Sequence, residues 1–99
     1  EATSADGIDA ELVKPALYQN APNPFDTETV IRYSLPQTVS KAMIYIFDMQ
    51  GKQVRSLAAN GRGEASVTVS ASDLSAGMYI YTLIADGKEV SSRRMILTK

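Results

Sequence analysis

Histidine, cysteine and tryptophan are absent from this chain, and aromatic residues of any kind make up only 7% of it. Each absence removes a class of chemistry. Without His or Cys there is no Ser-His-Asp or Cys-His nucleophile, no zinc site of the usual N/S type, and no imidazole or thiolate to shuttle a proton near neutral pH. The lack of Cys leaves the redox compartment open, because disulfide-free domains occur both inside and outside the cell. No apolar run approaches the roughly 20 residues that a membrane-spanning helix needs. A basic surplus is missing as well. The 10 Lys and Arg face 11 Asp and Glu, for a net charge of −1, whereas a nucleic-acid binder draws most of its sequence-independent affinity from cationic side chains. No nucleic acid, cofactor, metal or small-molecule substrate is expected as a partner.

What is present suits one small soluble domain, since a 99-residue chain with 44% apolar residues has material for a single core. It begins at Glu1 rather than Met, as expected of the end of a longer protein. Residues 1–16 open with small, polar and acidic side chains that follow neither a period of two nor one of 3.6. They read as a flexible linker, and a linker of small residues is where proteases reach the backbone most easily.

From Leu17 to Lys99 the texture becomes short β-rich runs separated by turn signals, which predicts an all-β, seven-stranded antiparallel β-sandwich of the immunoglobulin or fibronectin type III kind. A short extended piece is expected near Tyr18-Gln19. Thr29 to Leu35 alternates in polarity and is closed by Pro36, which cannot donate to a ladder. Met43 to Phe47 puts Ile44 and Ile46 on one face and Met43, Tyr45 and Phe47 on the other. Asp48-Met49-Gln50-Gly51 has Asp first and Gly fourth, as a type I turn prefers. Lys52 to Leu57 returns, and Asn60-Gly61-Arg62-Gly63 offers two glycines for positive φ before Val67 and Val69 alternate inward. Met78 to Ala85 and Val90 to Lys99 form the last pair, joined by the favoured hairpin dipeptide Asp86-Gly87. The expected core is Ile44, Ile46, Val67, Val69, Tyr79 and Leu83.

Two local constellations say more. Leu74-Ser75-Ala76-Gly77-Met78-Tyr79 has the form of a tyrosine corner, in which the ring is buried and the hydroxyl turns back onto an upstream backbone group where the chain changes sheets. Asn20-Ala21-Pro22-Asn23-Pro24-Phe25 is stiffened by its prolines, so Phe25 can plug one end of the sandwich while Asn20 and Asn23 bond backbone groups. A polyproline ligand is the weaker reading of that segment.

These segments, with Ser34-Leu35-Pro36, Ile46-Phe47-Asp48-Met49-Gln50-Gly51 and the closing Arg93-Arg94-Met95-Ile96-Leu97-Thr98-Lys99, occur in an order that resembles the C-terminal sorting domain of type IX (Por) secretion cargo, in its type A form. The resemblance covers about residues 17–99. It implies a sorting signal whose motif residues are Asn20, Pro22, Asn23, Pro24, Phe25, Asp48, Gly51, Leu74, Gly77, Tyr79, Arg93, Arg94 and Lys99. The implied partners are an upstream cargo, an outer-membrane translocon and a sortase-like peptidase that cuts near Ser4, Ala5, Asp6 and Gly7. The implied route is through the periplasm to the cell surface or the medium. On this reading a receptor meets the Gly77-Met78-Tyr79 region and the final strand, with Arg93, Arg94 and Lys99 presenting charge and the strand offering an edge for β-augmentation; the plainer alternative is that these cations guard an edge strand against aggregation.

Two other classes compete with sorting. A carbohydrate- or protein-binding accessory module would need exposed aromatics, for which Tyr45, Phe47 and Tyr81 are the candidates. An enzyme would have to work with carboxylates alone, yet turns account for Asp48 and Asp86, the corner for Asp73, and an exposed loop for Asp26 and Glu28. Asp6, Asp9 and Glu11 lack the spacing of a calcium loop. Arg62-Gly63-Glu64, a near miss for an adhesion tripeptide, reads as a hairpin tip.

Overall fold

The computed structural model describes residues 14–99. Seven strands are present: β1 Ala16–Leu17, β2 Glu28–Leu35, β3 Ala42–Asp48, β4 Gln53–Ala58, β5 Gly63–Ser70, β6 Gly77–Ala85 and β7 Lys88–Leu97. They form a three-stranded sheet of order β1-β2-β5 and a four-stranded sheet of order β4-β3-β6-β7, antiparallel throughout. The all-β sandwich expected from the alternation is therefore the fold. The expected linker and processing residues Ser4, Ala5, Asp6 and Gly7 lie outside the described residues, as do Asp9 and Glu11.

Alternation decides which side chains meet between the sheets. Thr29, Ile31, Tyr33 and Leu35 of β2 point inward, as do Ile44 and Ile46 of β3, Tyr79, Tyr81 and Leu83 of β6, and Met95 and Leu97 of β7. Val69 of β5 is fully buried, while Val67 is half-buried at the margin of the core. The outer face of the three-stranded sheet is polar, with Arg32, Ser66 and Thr68 exposed.

The first strand is displaced from its expected place. Ala16 pairs with Ser34 and Leu17 with Tyr33, and Tyr18 N–H still reaches the Arg32 carbonyl at 3.0 Å. Beyond that point the chain leaves the ladder because the Tyr81 hydroxyl takes over: it donates to the Tyr18 carbonyl at 2.7 Å and accepts from the Asn20 N–H at 2.8 Å.

The segment Asn60 to Gly63 is not a hairpin tip but a crossing, because β4 and β5 belong to different sheets. Only Gly63 uses positive φ, at +70°; Gly61 is needed for room, since a Cβ there would sit 2.5 Å from Ala65 Cβ. Arg62 turns inward at this crossing. Its guanidinium donates to the carbonyls of Val39, Ala59, Gly61 and Ser40 at 2.8–3.2 Å, tying the β4–β5 crossing to the β2–β3 loop. The planar fork suits this task and an ammonium does not. Arg62→Met is expected to cost about 1.5–3 kcal/mol, the range for bonds to a charged donor, and Arg62→Lys to recover little of it. Urea denaturation checks both.

The hairpin between β6 and β7 turns at Asp86 and Gly87 with φ of +50° and +82°, as the Asp-Gly pair predicts. The Asp86 carboxylate accepts from the Ser40 and Lys41 N–H groups, and the Lys41 and then the Ser40 bond hold its pKa below the usual value. A lowered carboxylate pKa stabilises the fold above the unfolded-state value near 4, and that contribution disappears as pH falls through the lower folded-state value. Asp86→Asn should therefore flatten the acid limb of the stability profile below about pH 4. Thermal melts at pH 7 and pH 3 provide the comparison.

Candidate functional site

Strand directions sort the molecule into two ends. Lys14 and Pro15 enter beside Asp86, Lys88 and Val90, at the end that also holds Arg62 and its loops. The opposite end gathers the start of β2, the ends of β3 and β5, the start of β6 and the end of β7. Most of the sequence-nominated motif residues are found there.

Phe25 anchors this far end. Its side chain is 3% exposed and belongs to the apolar core. Its N–H donates to the Ile96 carbonyl at 3.0 Å and its carbonyl accepts from Thr98 N–H at 2.9 Å, so residue 25 runs as a short parallel bridge beside Leu97. The Asn23 side-chain oxygen accepts the Ile96 N–H at 2.9 Å. Gln19 Nε2 donates to the Arg94 carbonyl. The prolines at 22 and 24, both preceded by cis peptide bonds, hold the exposed chain between these contacts.

Asn20 secures the segment from within. Its carboxamide Nδ2 donates to the Thr29 hydroxyl at 3.0 Å and to the Pro22 carbonyl at 3.1 Å, while the same hydroxyl donates to that carbonyl at 2.8 Å. Asn20 and Thr29 are both buried, and every buried side-chain polar atom among the described residues has a partner. This is the condition for a polar group to sit in an apolar core without a desolvation penalty.

On the other side of the far end, Asp48 lies opposite Tyr79 in the β3–β6 register. Asp48 Oδ1 accepts from Gln50 N–H and Lys52 N–H, both at 2.9 Å, and the Asp48 carbonyl accepts from Gly51 N–H at 3.0 Å. Ala71 N–H reaches the Thr27 carbonyl, Leu74 N–H reaches the Ala71 carbonyl, and Leu74 is buried. Gly77, at φ +152°, begins β6 in a conformation that L side chains rarely adopt. The Tyr79 ring is buried and its hydroxyl donates to the Ser75 carbonyl, four residues upstream, at the crossing from β5 to β6.

Three sequence expectations change here. The edge of β7 is not free for an added strand over Arg94 to Thr98, because Gln19, Asn23 and Phe25 already bond its outward groups. Arg93 and Lys99 do not simply present charge: Arg93 Nε donates to the Leu17 carbonyl at 3.1 Å and Lys99 Nζ to the Ala71 carbonyl at 2.9 Å. Of these three nominated cations, only Arg94 makes no side-chain hydrogen bond among the described residues. Tyr81, offered as a stacking aromatic, is fully buried, with its phenol pKa raised by burial, so of the three nominated aromatics the half-buried Tyr45 and Phe47 remain for a sugar platform.

The anchoring roles of Tyr81 and Arg62 escape sequence reading. Tyr81 follows the corner tyrosine by two residues, so its inward face was legible, but its partners lie more than 60 residues away. No group of three or more Asp, Glu, His or Cys side chains that could hold a metal ion occurs among the described residues.

A family model described as secretion system C-terminal sorting domain matches residues 20–98. No curated protein matches the chain.

Proposed function

Because this chain belongs to the family of C-terminal sorting domains of the type IX secretion system, we propose that its address is the folded far end of the sandwich, read as a surface rather than as a linear motif. Domains of this family direct an attached cargo protein to the cell surface or into the medium, and they are typically non-catalytic. The observation that carries the proposal is convergence. Asn23, Phe25, Asp48, Gly51, Leu74, Gly77 and Lys99, far apart in sequence, meet at one end, and the last residues of β7 are bonded there to the Asn20 to Phe25 segment.

On this reading the outer-membrane translocon receives the far end from the periplasm, while the cargo trails from the opposite end. A sortase-like peptidase then cuts near Ser4, Ala5, Asp6 and Gly7. A cut there leaves the signature end intact and removes the domain as a unit. Arg93 and Lys99 serve by fixing backbone, and of the three cations Arg94 is the one left to a receptor.

The experiment is a fusion of the whole chain behind an inert periplasmic reporter in a host with type IX secretion. Surface or medium delivery of the reporter is expected, with loss of the domain by cleavage at its N-terminal side. Removing Arg94 to Lys99 should leave the reporter in the periplasm; undiminished delivery would contradict the proposal.

A further inference from the structure

The inner face of the four-stranded sheet is the core, but its outer face is also apolar, which a sandwich of this size does not require for folding. Met43, Tyr45 and Phe47 of β3 are half-buried there, beside Ile80 of β6. Met78 and Ile96, paired across β6 and β7, are 37% and 36% exposed. Lys41 and Asp86 border this face beside Met43, Tyr45 and Ile84, and on the strands themselves charge enters it through Glu89 and Arg94 of β7. Between them the Thr82 and Ser92 hydroxyls bond to one another at 2.8 Å, and Ser92 donates to Glu89 at 3.2 Å, so Glu89 is engaged within the sheet and Arg94 is not.

The dimensions limit what can cover it. Four strands about 4.8 Å apart and about eight residues long, at 3.3 Å per residue, span an area on the order of 500 Å². A stable dimer buries about 800 Å² per partner, so a second copy is not accommodated by this face alone. A lipid surface would be met by a basic rim, whereas here each cation has an acid beside it: Arg94 shares β7 with Glu89, and Lys41 sits beside Asp86. An apolar patch flanked by Arg94, whose side chain makes no hydrogen bond among the described residues, fits a transient protein contact carrying a carboxylate.

Resting on the sorting reading above, we infer that this outer face docks a protein of the secretion machinery whose contact surface is apolar and places an acidic side chain opposite Arg94. The face is continuous with the address. Ile96 bonds the Asn23 and Phe25 segment through its backbone while its side chain lies on the outer face. A partner seated there would touch the signature strand from outside.

The test uses the full chain fused to the reporter, with Met78→Ser and Ile96→Ser together, and separately with Arg94→Glu and Arg94→Lys. All should melt within a few degrees of the parent chain, as surface changes do. Reporter delivery should fall by about tenfold for the double variant and for Arg94→Glu, roughly the effect of losing two apolar contacts or one paired charge, and be kept by Arg94→Lys. A photoreactive amino acid at Met78 should crosslink in cells to a component of the secretion machinery. Crosslinks confined to a second copy of the chain or to lipid would overturn the inference, as would unchanged delivery by both the double variant and Arg94→Glu. Failure of the unsubstituted fusion to leave the periplasm would instead overturn the sorting reading itself.

Discussion

Phe25→Ala is expected to destabilise the domain by about 3–5 kcal/mol, the usual cost of truncating a buried Phe. A domain of this size commonly has about 5–15 kcal/mol in total, so the variant stands near the edge of folding at 37 °C. The loss has two sources. The ring fills the far end of the core, and its removal leaves a cavity bounded by a short loop that cannot collapse onto it. The backbone of residue 25 is also the clamp on Ile96 and Thr98, so loosening it exposes the edge of β7. Phe25→Leu, which keeps most of the volume, should cost less than half as much. Denaturant titration of both variants gives the magnitudes, and a near-neutral Phe25→Ala would refute the anchoring role.

Tyr81→Phe is the second large effect and the sharper test of the polar anchor. The ring stays and only an oxygen is lost, yet the Tyr18 carbonyl loses its donor and the Asn20 N–H its acceptor. A buried group left unpaired costs about 1–3 kcal/mol; the Asn20 N–H is buried and the Tyr18 carbonyl only partly so, which brings the expected total to about 2–4 kcal/mol. Tyr79→Phe, which frees only the Ser75 carbonyl, should cost about 1–2 kcal/mol. The phenol itself provides an independent check. Burial is the largest influence on Tyr81 and raises its pKa, outweighing the Asn20 bond and the Arg93 charge. The protonated form therefore stabilises the fold fully below the unfolded-state pKa near 10 and less as pH rises through the higher folded-state value. The alkaline loss of stability should shrink in Tyr81→Phe, as followed by melts between pH 8 and pH 11.

Most of the fold was legible because sandwich strands advertise themselves locally. Ile44 and Ile46 alternate with Met43, Tyr45 and Phe47 in a strand too short to be mistaken for a helix, and Asp48 to Gly51 and Asp86-Gly87 carry their turn chemistry in adjacent residues. The candidate site was legible as a set of motifs but not as a place. That Asn23 caps Ile96, that Lys99 reaches Ala71 and that Arg62 spans the Val39 and Ala59 loops depends on sheet order, which no local period encodes. The same gap explains the mistaken free edge: the charges on Arg93 and Arg94 mark β7 as an edge strand, but nothing nearby in sequence shows that residues 19–25 cover it. Tyr81 is a different case: alternation with Tyr79 and Leu83 already turns it inward, and only its hydroxyl's partners, more than 60 residues away, lie beyond a local reading.

The sandwich thus separates two kinds of stabilising contact. Arg62 and Asp86 lock loops where the chain enters, whereas Phe25, Asn20 and Tyr81 lock the segment that lies along β7 toward the far end. Damage of equal thermodynamic size at the two ends should have unequal consequences for sorting. Delivery of the reporter is therefore best measured for Tyr81→Phe and Arg62→Met side by side, at a temperature where both remain folded. If the far-end surface is the address, Tyr81→Phe retains the reporter in the periplasm while Arg62→Met releases it nearly as well as the parent chain. Equal delivery by the two variants would contradict that claim.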